Sequence, residues 1–358
     1  MKKLLLTILA IMLACGVCTA QTKDAKPAGK SVYYASHSLM WDMPPVLTEV
    51  TKLYGIEGHN VVNIDMIGVS FTRQFWDRQG PDEQNPAKKV LIDGKLDAFV
   101  MSPIGMPDEA IEKFVKLGLE HNPNVKFYVQ ISWPGMGLKD NNDMASGGMM
   151  GGGRRGPGAS GTTPSGATVT QTAAAPGAPA AGGRGGRGTR GGAGGGMMGG
   201  GFGGGFGGGM MGGGQDYNIT PEEIDQINVK NNKSAEEQAK KINEEAGKTV
   251  IYLVPSAQAH NALRKMIYNK EMPGMTDQGE VFRDFIGHPT DPVIALNAYL
   301  HFAVMYGVSP VGLPIPSILK NSSKPEYKTE EFNLALQNLA WKTVTEYAPT
   351  FVKAPEKD

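Results

Sequence analysis

"SVYYASHSLMWDMPPVLTEVTKLYG", residues 31 to 55, contains the unit that decides the fold. Its first five residues are rich in valine and tyrosine, which suit a pleated strand. Ser36, His37 and Ser38 then form a polar turn. From Pro44 the pattern becomes helical, with Pro44 and Pro45 in the opening turn and Gly55 just past the end. A strand that passes through a short turn into a helix is the building block of a parallel sheet.

The same unit recurs outward from this point. "VVNIDMIG" reads as a second strand, followed by a short helix around "TRQFWDRQ". "DAFVMS" is a third strand, and "PDEAIEKFVKLGLEHNP" follows as an amphipathic helix with Ile111, Phe114, Val115 and Leu119 on one face. "VKFYVQIS" is a fourth strand. Further on, Thr220 with Glu223 and Ser234 with Glu237 read as capping boxes, the second opening a helix that Gly247 stops. "TVIYLVP" is a fifth strand, and three helices follow, "SAQAHNALRKMIY", "DPVIALNAYLHFAVMYG" and "TEEFNLALQNLAWKTVTEYA". Strands separated by helices imply a three-layer α/β/α fold around a flavodoxin-like parallel sheet of about five strands, spanning residues 31 to 352 as one domain.

Two segments stand outside that pattern. Residues 1 to 20 carry Lys2, Lys3, an apolar run from Leu4 to Leu13 and small residues near Ala20, the form of a secretory signal peptide. The expected product is therefore exported, periplasmic or extracellular. Lipidation at Cys15 is disfavoured by Met12 three positions upstream. Both cysteines, Cys15 and Cys18, fall in the leader, so the exported chain has no disulfide or thiolate chemistry. Residues 147 to 214 hold 32 of the 49 glycines, five arginines and no acid, a composition that cannot bury enough apolar surface to offset the entropy of ordering it. This segment reads as a disordered surface insertion.

Charge excludes one class of partner. Setting aside the five arginines of the insertion and the two leader lysines leaves 28 basic against 35 acidic residues, a balance unlike that of a nucleic-acid binder. No later apolar run approaches the ~20 residues of a membrane span. The oligomeric state is not legible.

In parallel sheets, sites form beyond the carboxyl ends of the strands. There the sequence puts Ser36, His37 and Ser38 after the first strand, Gly68 and Ser70 after the second, Ser102 after the third and Trp133 after the fourth. "FRDFIGHPTDP" adds Asp284, His288 and Asp291 just before a helix. A serine nucleophile needs a base, and the base needs a carboxylate to hold its tautomer. His37 has no acid nearby in sequence and reads as a hydrogen-bonded loop residue. His59, His121, His260 and His301 lack metal-ligand spacing. Trp41, Trp76 and Trp133 lie just beyond strand ends, where they either stack on sugar rings or pack under the loops.

Taken in order, "SHSL" after strand one, "IGVS" after strand two and a late Asp and His on one loop resemble the SGNH, or GDSL-like, hydrolases, in particular an exported bacterial group of that superfamily. The resemblance implies Ser38 as nucleophile, His288 as base, Asp284 as the acid, and Gly68 as an oxyanion-hole amide. It implies ester or acyl hydrolysis of a small-molecule or polysaccharide ester, with no metal or other cofactor. Two positions depart from the pattern. Ser102 stands where the family places an asparagine that donates to the oxyanion, and Asp284 lies four residues before its histidine instead of three. Ser36 is the rival nucleophile and Asp291 the rival acid, though Asp291 better suits the N-terminal cap of the next helix. The missing asparagine leaves open a noncatalytic, glycan-binding reading with Trp41 and Trp133 as the contact surface. A third reading, a surface protein acting through its glycine insertion, rests on that segment alone.

Overall fold

The computed structural model describes residues 26–68, 70–135, 137–141 and 218–354. The proposed leader and the glycine-rich insertion lie outside them. Five strands, β1 (Ser31–Ser36), β2 (Asn60–Met66), β3 (Ala98–Met101), β4 (Lys126–Gln130) and β5 (Ile251–Val254), form one parallel sheet in the order β2-β1-β3-β4-β5. The helices are α1 (Met43–Tyr54), α2 (Thr72–Trp76), α3 (Pro86–Ile92), α4 (Glu109–His121), α5 (Pro221–Asp225), α6 (Val229–Ala246), α7 (Ser256–Tyr268), α8 (Asp291–Tyr306), α9 (Ser317–Lys320) and α10 (Glu330–Glu346). Three layers result, as the alternating pattern implies.

Side chains alternate across the pleat, so each strand feeds both faces. Tyr33, Phe99 and Phe127 point to one side. Tyr33 stacks on Phe99 at 5.2 Å, and Phe114 of α4 tilts onto Phe99 at 5.1 Å. Tyr34, Val100 and Tyr128 point to the other side, towards α8. Every residue of α8 from Pro292 to Tyr306 is buried, which is why its sequence is apolar nearly all round. It packs between α1 and α10.

Three local differences from the sequence reading have physical causes. Helix α6 begins at Val229, so Ser234 lies inside it and its pairing with Glu237 does not open it. The true start is set from a distance. Asn228 adopts a left-handed conformation, its N–H donates to the Lys139 carbonyl at 2.6 Å, and its side-chain oxygen accepts from the Asn141 N–H at 3.2 Å. Helix α3, which the apolar pattern is too short to reveal, is opened by Asn85, whose side chain accepts from the N–H groups of Ala87 and Lys88. Asp291 is the first residue of α8, after Thr290 at the cap.

Register aligns the strand ends into a rim. Ser36 pairs with Met66, and Ala35, Met101, Val129 and Leu253 form one row across the sheet. The next row therefore brings Ser36, Ser102, Gln130 and Val254 side by side. Chain order reverses between β1 and β3, the kind of switch point at which parallel sheets carry their sites.

Candidate functional site

Ser38 follows β1 on a turn closed by the N–H groups of Met40 and Trp41, which donate to the His37 carbonyl at 2.9 and 3.2 Å. Ser38 is 7% exposed, and its hydroxyl makes no hydrogen bond among the described residues. The neighbouring loop is tied on both sides. Ile67 N–H donates to the Ser36 carbonyl at 3.2 Å, and the Ser70 carbonyl accepts from Ile104 N–H at 3.0 Å. Arg78 grips Asp65 at the end of β2 through two hydrogen bonds of 2.5 and 2.6 Å, and Tyr33 donates to the same carboxylate. Gly68 sits exposed within this loop, with open space where a side chain would stand.

Asp284 and His288 share one tight loop between Phe282 and Pro289, which pair as an antiparallel bridge. One carboxylate oxygen of Asp284 accepts from the N–H groups of Ile286 and His288 at 3.1 and 3.2 Å. The other accepts from His288 Nδ1 at 2.5 Å. Burial pushes the Asp284 carboxyl up, but the His288 ring and these two amides outweigh it and hold the carboxyl below its ordinary range. The four-residue spacing is absorbed by the turn itself, where Gly287 takes a positive φ of 95°. With Nδ1 donating to the carboxylate, a neutral His288 presents the lone pair of Nε2, the form a general base requires.

Three contacts fasten this loop over the rim. Arg283 reaches Asp42, just beyond the Ser38 turn, at 3.2 Å. Trp133 donates its indole N–H to the Gly287 carbonyl at 2.8 Å. Gly135 lies so close that a methyl group there would stand 2.7 Å from the Ile286 carbonyl oxygen. His288 also lies near enough to His37 to disfavour a charge on it; together with burial, the larger cause, this lowers His37 to about 4. Two segments some 250 positions apart thus meet at the end of β1.

The remaining sequence candidates fall in different places. Trp133 is fully buried and stacks on His260 at 4.9 Å, so of the two roles weighed for the tryptophans its position fits packing. Trp76 meets Phe114 edge-on and carries Lys88 over its face. Trp41 is half-buried on the Ser38 turn. Ser36 is fully buried. Ser102 is also buried, its Oγ 2.9 Å from His37 Nε2 and 3.3 Å from Ser132 Oγ. Ser132 accepts from Gln130 Nε2 at 3.0 Å, and Gln130 Oε1 accepts from His301 Nε2 at 3.0 Å. This buried chain beneath the rim is absent from the sequence reading. Its one local signal is a pair of polar residues, Gln130 and Ser132, closing the apolar run of β4.

No family model matches the chain, and no curated protein matches it. Among solved structures it is similar to a DUF4886 family protein from Bacteroides uniformis, with 13% identity and a TM-score of 0.45, over 88% of this chain and 95% of that one.

Proposed function

We propose that this protein is an exported serine ester hydrolase acting on small-molecule or carbohydrate acyl esters. The observation that carries the reading is the Asp284–His288 pair, with its 2.5 Å contact, fastened over the turn that bears Ser38. Ser38 Oγ attacks the ester carbonyl while its proton passes to His288 Nε2. The new carbon–oxygen bond gives a tetrahedral oxyanion facing the Ser38 and Gly68 amides and the Ser102 hydroxyl. Collapse breaks the bond to the alcohol, which leaves with the proton from His288, and water repeats the sequence to release the acid. The serine and the imidazole are not hydrogen-bonded in the free protein, a contact that commonly tightens only when substrate arrives.

Phe285, between the acid and the base in sequence, is 55% exposed and offers an apolar surface to the acyl or alcohol group. A glycan-binding reading needs an aromatic rim, and burial removes Trp133 from it. The test is exposure to a fluorophosphonate followed by peptide mass spectrometry, alongside turnover of short-chain nitrophenyl esters. A single adduct on Ser38 together with turnover is expected; neither adduct nor turnover ends the reading.

Gly135 offers a second check that leaves every reacting group in place. Alanine there forces the Asp284–His288 loop away, and a displacement of that kind is expected to lower kcat about 10- to 100-fold. Circular dichroism of the Gly135→Ala variant should stay that of the native fold. Unchanged kcat would mean that the loop's seat on Gly135 is irrelevant to turnover.

A further inference from the structure

The geometry points to a buried set of positioning residues, His37, Ser132 and Gln130, that occupy both acceptor positions of Ser102 Oγ and so free its proton to serve as an oxyanion donor. This rests on the ester-hydrolase reading and explains how a serine can stand where the SGNH pattern has an asparagine.

The directions of all these bonds but the one between the two serines follow by elimination. The Leu39 N–H can only donate, and it meets His37 Nδ1 at 3.2 Å. A neutral His37 therefore carries its proton on Nε2 and donates it to Ser102 Oγ at 2.9 Å. Burial and the neighbouring His288 keep His37 neutral at ordinary pH. From the other side, His301 Nε2 donates to Gln130 Oε1, which turns the Gln130 amide so that its Nε2 donates to Ser132 Oγ. Ser132 Oγ and Ser102 Oγ then share a contact of 3.3 Å in which either hydroxyl can donate, and we take Ser132 as the donor. A hydroxyl has two acceptor positions and one proton. With Ser132 donating, both acceptor positions of Ser102 are filled, and its proton has no acceptor left among the described residues. Ser102 follows β3 directly, at the β1/β3 reversal where the ester oxygen would acquire charge on the proposed reading. Donors fixed before the reaction need no reorganisation when that charge appears.

The test is a double-substitution cycle on kcat and KM for a short-chain nitrophenyl ester, joined to nitrogen NMR of the His37 ring. Ser102→Ala is expected to lower kcat on the order of 100-fold, as loss of an oxyanion donor does. Ser132→Ala, a small change deep in the rim, should lower kcat about fivefold to tenfold with KM unchanged. It should add nothing in the Ser102→Ala background, and nothing in a Ser102→Asn background, where the amide brings its own directed protons. The His37 ring should show an unprotonated Nδ1 and a protonated Nε2. Independent, multiplying losses from Ser102→Ala and Ser132→Ala, or the reverse His37 tautomer, overturn this inference while leaving the hydrolase reading standing. No turnover by the unaltered protein overturns both.

Discussion

Alanine in place of Ser38 is expected to reduce kcat for a nitrophenyl ester by on the order of 10⁴- to 10⁶-fold, leaving the fold intact. The size follows from the division of labour. Without the nucleophile, His288 has no proton to take and no acyl-enzyme forms, so only the oxyanion donors and substrate binding remain. The Ser38 hydroxyl makes no hydrogen bond among the described residues, so its removal orphans no partner there. Melting temperature should therefore move little while turnover collapses. Asp284→Asn is the companion measurement. An amide nitrogen facing Nδ1 would favour the tautomer that puts the proton on Nε2, and a loss of about 10⁴-fold is expected. Turnover that survives Ser38→Ala would remove Ser38 as nucleophile, and with it the chemistry assigned to the loop.

A shift from pH 7 to pH 5 is expected to cost the fold about 4 kcal/mol through His37 and His301 alone. His37, His260 and His301 are all buried; burial lowers His37 to about 4, His301 to about 3 and His260 well below its ordinary value. Each titrates near 6.5 once the chain unfolds, so between that value and the folded one the unfolded state binds more protons. Stability is therefore full above the unfolded value, falls as pH drops through it, and stops falling only below the folded value. At pH 5 the difference is about 2 kcal/mol each for His37 and His301, a sizeable part of the net stability of a typical domain, and His260 acts in the same direction. Asp284 does not blur this window, because a depressed carboxyl withdraws its contribution only as pH falls below the ordinary carboxylate range. Urea midpoints at pH 7 and pH 5 measure the loss. His301→Gln can still donate to Gln130 but cannot titrate, and it should recover about 2 kcal/mol of the difference. An equal drop in that variant would show that His301 is not held neutral by burial.

The sheet and its layers were legible because they depend on local signals: alternation of short apolar runs with helical periods, prolines at starts and glycines at stops. The Asp284–His288 pair was legible for the same reason, since five consecutive residues contain it. The rest of the site depends on contacts between distant segments. Nothing near Ser102 announces that His37 lies against one side of it and Ser132 against the other, or that His301 orients Gln130 from 171 positions away. Trp133 shows the same limit: a tryptophan past a strand end fits a sugar platform or a core, and burial by His260 and the 284–288 loop decides between them. The start of α6 was misread because a local capping signal was weighed without the partner at Lys139 that overrides it.

The ties between Asn228, Lys139 and Asn141 pin the chain on both sides of residues 142 to 217 to each other as well as to the body. Together they form a clasp, and the tether between its two halves can vary in length at an entropic penalty that grows only with the logarithm of its span. Lineages carrying this architecture would be free to expand, shrink or exchange that stretch without retuning a single pair of neighbouring strands.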